Sequence, residues 1–407
     1  MTSPSPRSGR RILVCTPFAP RLDARHGGRP TAQLLRRLAE RNAVAVLALQ
    51  LDRDDHVDPA IAERCDYVRE IPPAERSPLR RRIDWTIGLA RGRPPWAIDC
   101  RSREYAAALD RVLDEWRPDV VEVHLQAMAQ YVDALAHRNL PRILVDYDPA
   151  SAWADEVHAA TVGPRRLVRR LEVAAWRRYE RATRPRFDAI IVFAERDVAA
   201  VRSTAGAATV TRIPLTVDMP PDPLDPEGAG PPTVLFVGGF GHPPNVDGAV
   251  WLAETIFPKV VARVPEARLQ LVGHAPGPEV LALAGGAVSV HGSVPDVTPY
   301  YDAAAVVVAP IRTGGSMRGK VLEALAGGKA VVATPRAAEG VVAADGAHLV
   351  VADGEDALAE ALVALLLDLP RRRRLAENAR RWAESNLGWS RGVAAFEEVY
   401  DSVASAR

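Results

Sequence analysis

Short apolar runs rich in β-branched residues recur along the chain at residues 12–15, 44–49, 120–123, 143–145 and 189–193. They recur again at 234–237, 269–272, 288–291, 306–309 and 331–333. Continuous runs this short suit strands covered on both faces, and segments such as that holding Leu34, Leu35 and Leu38 supply the helices between them. Strand and helix in alternation predict an α/β fold with doubly wound parallel sheets. The two series are separated by residues 214–232, where Pro, Asp and Gly crowd together as in a linker. A chain of 407 residues is also too long for one ordinary core. Expected boundaries are 1–215 for an N-terminal domain, 216–232 for a hinge and 233–385 for a second domain. Residues 386–407 should form a last helix, with Trp389, Val393, Phe396 and Val399 or Tyr400 on the face that packs back on the first domain.

Composition narrows the partners. A net charge of +1 gives no support for a nucleic-acid binder. Cys15, Cys65 and Cys100 are odd in number and far apart, which suits neither a disulfide framework nor a metal motif, so a reducing cytoplasm is the expected compartment. No apolar run reaches the roughly 20 residues that span a bilayer. The polar, basic residues 1–10 followed by a run at 12–15 read as the approach to a buried strand rather than a signal peptide. His, Cys and Ser show no zinc spacing and no hydrolase triad.

The most chemically specific text is residues 314–334: glycine-rich turn, short helix, strand. Backbone N–H groups near Gly314, Gly315, Ser316 and Met317 would face an anion, Arg318 and Lys320 add charge, and Glu323 offers a carboxylate one turn on. Phosphates and ribose hydroxyls of a nucleotide sugar need this set; the competing reading is an αβ unit with a solvated basic turn. His242, stiffened by Pro243 and Pro244, reads as a phosphate contact or a plain helix-entry turn, with Asn245 as a cap. Gly27, Gly28 and Arg29 would approach phosphates or an acceptor. His124 closes the run 120–123 and should stand at the mouth of the first sheet, as a functional group or a satisfied polar one. Arginines and aromatics mix in 80–96 and 165–178, as on a solvated helix face or a surface meeting anionic lipid.

In chain order, several motifs resemble the GT-B glycosyltransferases, specifically the retaining family-4-type group. Ile213-Pro214-Leu215-Thr216-Val217-Asp218 is similar to its "IPNGVD" hinge, Phe236-Val237-Gly238-Gly239 to "FVGR", and Val321-Leu322-Glu323-Ala324-Leu325-Ala326 to "LLEAMA". Arg336-Ala337-Ala338-Glu339-Gly340 is similar to "GGxxE", and Arg196-Asp197 follows the strand ending at Phe193 as in that group. Two departures stand out. Gly315 occupies the place of the group's first glutamate, and Gly239 that of the arginine that holds the donor diphosphate. The run from Gly315 to Glu323 instead resembles a subgroup reading "GxxRxKxLE", in which Arg318 and Lys320 replace the missing charge.

The resemblance implies two Rossmann-like domains facing across a cleft, a donor site on the second and an acceptor site on the first. It implies transfer of a sugar from a nucleoside-diphosphate sugar to a glycan, lipid-linked or small natural-product acceptor. Retention, no metal or other cofactor, and a cytoplasmic or membrane-peripheral enzyme are expected. Glu323 would bind ribose, the loop carrying Val294 would line the base, and His124 would position the transferring sugar. Asp146-Tyr147-Asp148 is a D-x-D, which a GT-A enzyme would use for a metal; here Asp146 and Asp148 are expected to line the cleft. A sugar-nucleotide epimerase or hydrolase of the same fold, or a non-catalytic nucleotide-sugar-binding protein, are the alternatives. Sugar, base, acceptor identity and oligomeric state stay open.

Overall fold

The computed structural model describes residues 9–22, 28–50, 54–135, 137–314 and 319–405. Gly27, Gly315, Ser316, Met317 and Arg318 lie outside them. The chain forms two compact units: one comprises the chain up to Leu215 with the residues from Gly392 onward, the other lies between Thr216 and Arg391.

The first unit is a seven-stranded parallel sheet in the order β3-β2-β1-β4-β5-β6-β7. Its strands are β1 (Arg11–Thr16), β2 (Ala43–Leu49), β3 (Tyr67–Ile71), β4 (Val120–His124), β5 (Arg142–Asp146), β6 (Ala189–Val192) and β7 (Thr209–Arg212). Ile12 pairs with Val44 on one side and Val120 on the other, and all three are almost wholly buried. Each such side chain contributes about 1.5–3 kcal/mol by leaving water. Central strands such as β1, β2 and β6 read as nearly uninterrupted apolar text for that reason. Edge strands β3 and β7 escape sequence reading because Tyr-Val-Arg-Glu-Ile and Thr-Val-Thr-Arg are only partly covered and keep polar residues.

The second unit repeats the plan with six parallel strands in the order β10-β9-β8-β11-β12-β13. These are β8 (Thr233–Val237), β9 (Arg268–Val272), β10 (Val288–His291), β11 (Val306–Ala309), β12 (Val331–Ala333) and the two-residue β13 (Val350–Val351). In each sheet the chain winds outward one way and then returns to the centre. The strand order therefore reverses beside β1 and β4 in the first sheet, and beside β8 and β11 in the second. Loops that leave the carboxyl ends of those strands diverge and open a crevice.

The helix Trp389–Ser405 buries Phe396, Tyr400 and Val403, and from Gly392 on it belongs to the first unit. The Pro- and Asp-rich stretch behaves differently from a free linker. Arg380 donates to the carbonyls of Pro220 and Ala326 (2.9 and 3.0 Å), and Arg372 to those of Pro226 and Leu365 (3.0 and 2.7 Å). The ammonium of Lys329, wholly buried, donates to the carbonyls of Asp225 and Asp302. Cations held in the body of the second unit thus satisfy carbonyls that a Pro-rich segment cannot pair in a ladder.

Candidate functional site

In the first unit the crevice beside β1 and β4 is built on His124. The residue that follows, Leu125, holds φ at +67°, a state a side chain disfavours, and so turns the chain sharply out of β4. The imidazole is fully buried, with Nε2 at 3.1 Å from Glu122 Oε2 and Nδ1 at 3.0 Å from the Tyr147 hydroxyl. Beside a carboxylate Nε2 carries the proton and Nδ1 accepts, which fixes the tautomer. Thr31, on the helix Gly28–Leu38, lies 2.5 Å from the Tyr147 hydroxyl and 3.4 Å from Nδ1. Burial raises the Tyr147 phenol far above its ordinary pKa, so it stays a neutral donor. Gly28 and Arg29 open that same helix, which places them on the element that presents Thr31 to the imidazole.

Asp146, expected to line a cleft, is instead enclosed. Its Oδ2 accepts from Nη2 and Nε of buried Arg184 at 2.8 and 3.2 Å, and Gln126 donates to Oδ1. Arg184 also meets Glu180 at 3.2 Å. Burial pushes the Asp146 carboxyl up to about 6 against the pull of the guanidinium. That carboxylate has no solvent exposure and is held by an arginine and a glutamine. Asp148 differs: it is half-buried, and Arg196 approaches it at 3.6 Å. Cys15 and Cys100 are buried and their thiols are raised to about 12, which removes them as nucleophiles.

In the second unit the loops after β8 and β11 meet. Gly239 follows β8, and space is open where its β-carbon would stand. Asn245 ties the two loops together: Nδ2 donates to the Gly239 carbonyl at 2.8 Å, while Oδ1 accepts from the Lys320 ammonium. Lys320 lies in the first turn of the helix Gly319–Ala326 and sits 4.8 Å above the Phe236 ring, a cation–π contact that fixes its height. Gly314, with φ +90°, abuts Pro244 so closely that a β-carbon would come within 2.8 Å of its ring; His242 Cε1 would lie at 3.8 Å. His242 is the N-cap residue of the helix Pro243–Trp251, so Asn245 is not the cap; its side chain serves the glycine loop instead. Glu323, one turn beyond Lys320, is half-buried.

Further loops join in series. The Phe240 N–H donates to the His274 carbonyl at 2.8 Å, and His274 Nδ1 lies 2.8 Å from the Ser293 hydroxyl, next to Val294. Gly239, His242, Val294, Gly314, Lys320 and Glu323 are thus carried by loops and a helix at one end of one sheet. Sequence reading missed Phe236 and the true work of Asn245, along with Glu122, Thr31, Tyr147 and Tyr400 around His124. The first two had a signal, since an aromatic and an amide stand just before and after a double glycine; the others are joined only by folding.

Two sheets of this topology define the GT-B architecture. It is shared with sucrose-phosphate synthase from Thermosynechococcus elongatus (TM-score 0.71, 18% identity, 98% of this chain and 100% of that one). It is shared also with Anabaena HepE, solved in complex with UDP and glucose (TM-score 0.62, 14% identity, 97% and 100%). Residues 231–368, within the second unit, match the family model "Glycosyl transferases group 1". Among curated proteins, the chain is similar to phosphatidyl-myo-inositol mannosyltransferases. It is 35% identical to that of Mycolicibacterium smegmatis over 185 residues, 43% of this chain and 46% of that protein. It is 37% identical to that of Mycobacterium tuberculosis over 188 residues, 43% and 48%. The matched part spans about half the length of these relatives.

Proposed function

We propose that this chain is a glycosyltransferase that moves a sugar from a nucleoside-diphosphate sugar to an acceptor hydroxyl or amine, with the donor held on the second unit. The observation that carries the reading is the convergence of Lys320, Asn245 and the open Gly239 loop within the matched segment 231–368. UDP and glucose bound to HepE, a structural neighbour, favour a donor of this class. As the bond from the anomeric carbon to the diphosphate breaks, charge grows on the leaving oxygen. The Lys320 ammonium and N–H groups at the start of its helix would stabilise it, with Arg318 as a second cation. Glu323 would accept from ribose, His242 would meet a phosphate and Val294 would border the base.

The acceptor would be a glycan, a lipid-linked molecule or a small natural product, and the mannosyltransferase relatives favour a lipid-linked one. Transfer would retain configuration without a metal: the acceptor proton leaves to the departing phosphate oxygen as the acceptor takes the anomeric carbon. His124 would then position the sugar rather than serve as base. The test is calorimetry with nucleoside diphosphates on the full chain. Lys320→Met and Glu323→Ala should each weaken binding about tenfold or more, the scale of a charge-assisted contact; unchanged affinity in both removes the donor site. Turnover should survive EDTA, and a loss restored by magnesium would refute metal independence.

A further inference from the structure

The chain leaves β11 at Ala309 and passes through Gly314 before the helix that carries Lys320 begins at Gly319. Side chains from neighbouring loops hold this exit at three points. The Thr334 hydroxyl donates to the Ile311 carbonyl, and its oxygen accepts from the Ala337 N–H at 3.0 Å as the cap of the helix Pro335–Ala338. Arg312 Nε donates to Asp247 at 3.0 Å, with the guanidinium 4.7 Å from the centre of the Trp251 ring. Arg336 Nε donates to the Gly314 carbonyl at 3.0 Å.

The third contact bears on chemistry. Gly314 is buried, so its carbonyl needs a donor, and it lies beyond the ladder of β11 and β12, whose last pair is Ala309 and Ala333. Arg336 supplies that donor and is itself held by Glu339, which accepts from Nη1 at 2.8 Å. A planar guanidinium fixed at both Nε and Nη1 keeps one orientation. The Pro244 ring stops Gly314 from moving the other way. A peptide unit is planar and trans, so an oxygen tied to Arg336 turns the N–H of the same unit to the opposite side. We infer that Arg336 is a positioning residue for the donor diphosphate, a role that rests on the donor site proposed above. Through the Gly314 carbonyl it aims that N–H at the phosphate, and Glu339 keeps the guanidinium on the carbonyl.

The full chain is titrated calorimetrically with UDP, GDP, ADP and TDP, and the diphosphate that binds best is carried to the variants. Arg336→Met should weaken it about tenfold, the scale of a hydrogen bond from a charged group. Arg336→Lys can still donate to the carbonyl and should stay within about threefold of native. Glu339→Gln should weaken binding severalfold in the native background and add nothing in Arg336→Met, because Glu339 acts through the guanidinium. Equal losses in the lysine and methionine variants would mean packing alone and overturn the role. Should Arg336→Met not fold, Glu339→Gln decides. Unchanged or tighter binding there overturns the role, the latter because the guanidinium would then meet the phosphate itself. Native affinity in Arg336→Met while Lys320→Met loses binding removes this role and leaves the donor site standing. If the native chain binds none of the four diphosphates, the donor site falls and this role with it.

Discussion

The Tyr400 hydroxyl donates a 2.6 Å hydrogen bond to Oε1 of Glu122, whose other oxygen meets His124. The last helix of the chain therefore reaches the middle strand of the first sheet through one buried carboxylate. Burial and the facing carboxylate hold the Tyr400 phenol well above its ordinary pKa, so it donates across the whole working range. Glu122 is thereby held between Tyr400 and His124, and its orientation fixes which side of the imidazole it meets.

Tyr400→Phe leaves a buried carboxylate oxygen without its donor. A loss of about 1–3 kcal/mol is expected, measured as a lower urea midpoint. An unshifted midpoint would mean the hydrogen bond contributes nothing net.

Arg184→Met strips the cation from Asp146. In the native protein the Asp146 carboxyl titrates near 6, above its ordinary 3.8. The folded state thus binds the extra proton, and the group favours folding below 3.8 but loses that contribution as pH rises through 6. Removing the guanidinium steepens the loss. The variant should be destabilised by about 3–5 kcal/mol at neutral pH and distinctly less in mild acid, where the carboxyl is neutral. Thermal melts on both sides of the transition check this; equal destabilisation at both would contradict it.

Lys329 gives the opposite sign. Burial lowers its ammonium from 10.5 to about 8, so between those values the unfolded chain binds more protons and stability rises with pH. The rise is on the order of 3 kcal/mol. Lys329→Met removes this group's titration and its bonds to Asp225 and Asp302, so the native protein should gain on the variant as pH climbs through that window. Chemical denaturation at two alkaline pH values reads the difference; a constant gap would count against it.

Two glycines separate fold from binding. A β-carbon on Gly273 would lie 1.8 Å from the Gly238 carbonyl oxygen, so Gly273→Ala should lower the melting temperature and displace the loop after β8. Gly239→Ala meets open space and should leave stability within about 0.5 kcal/mol. If a diphosphate packs there, Gly239→Ala should still weaken nucleoside-diphosphate binding severalfold by calorimetry. Native affinity in Gly239→Ala would move the donor away from this loop.

Much of the architecture was readable before folding. Central strands such as β1, β8 and β11 are covered on both faces, which demands unbroken apolar text, and the Gly239 and Gly314 turns mark where such strands end. The edge strands β3, β7 and β13 escape because half-coverage leaves no such signature, whereas the edge strand β10 keeps enough valine to be read. The enclosure of Asp146 is hidden from the sequence for a related reason. Its neighbours in sequence suggest a loop carboxylate, while its partner Arg184 stands on an element 38 residues away.

Local order alone settles the alternation of strand and helix and the break between two units, because each is written in the period and residue types of adjacent positions. Tertiary structure alone settles that Tyr400 serves Glu122, that Arg184 claims Asp146, and that Asn245 joins Lys320 to Gly239. Those pairings form between segments far apart in the chain. What selects them is desolvation: once a polar group loses water, only the partner the fold brings to it can satisfy it.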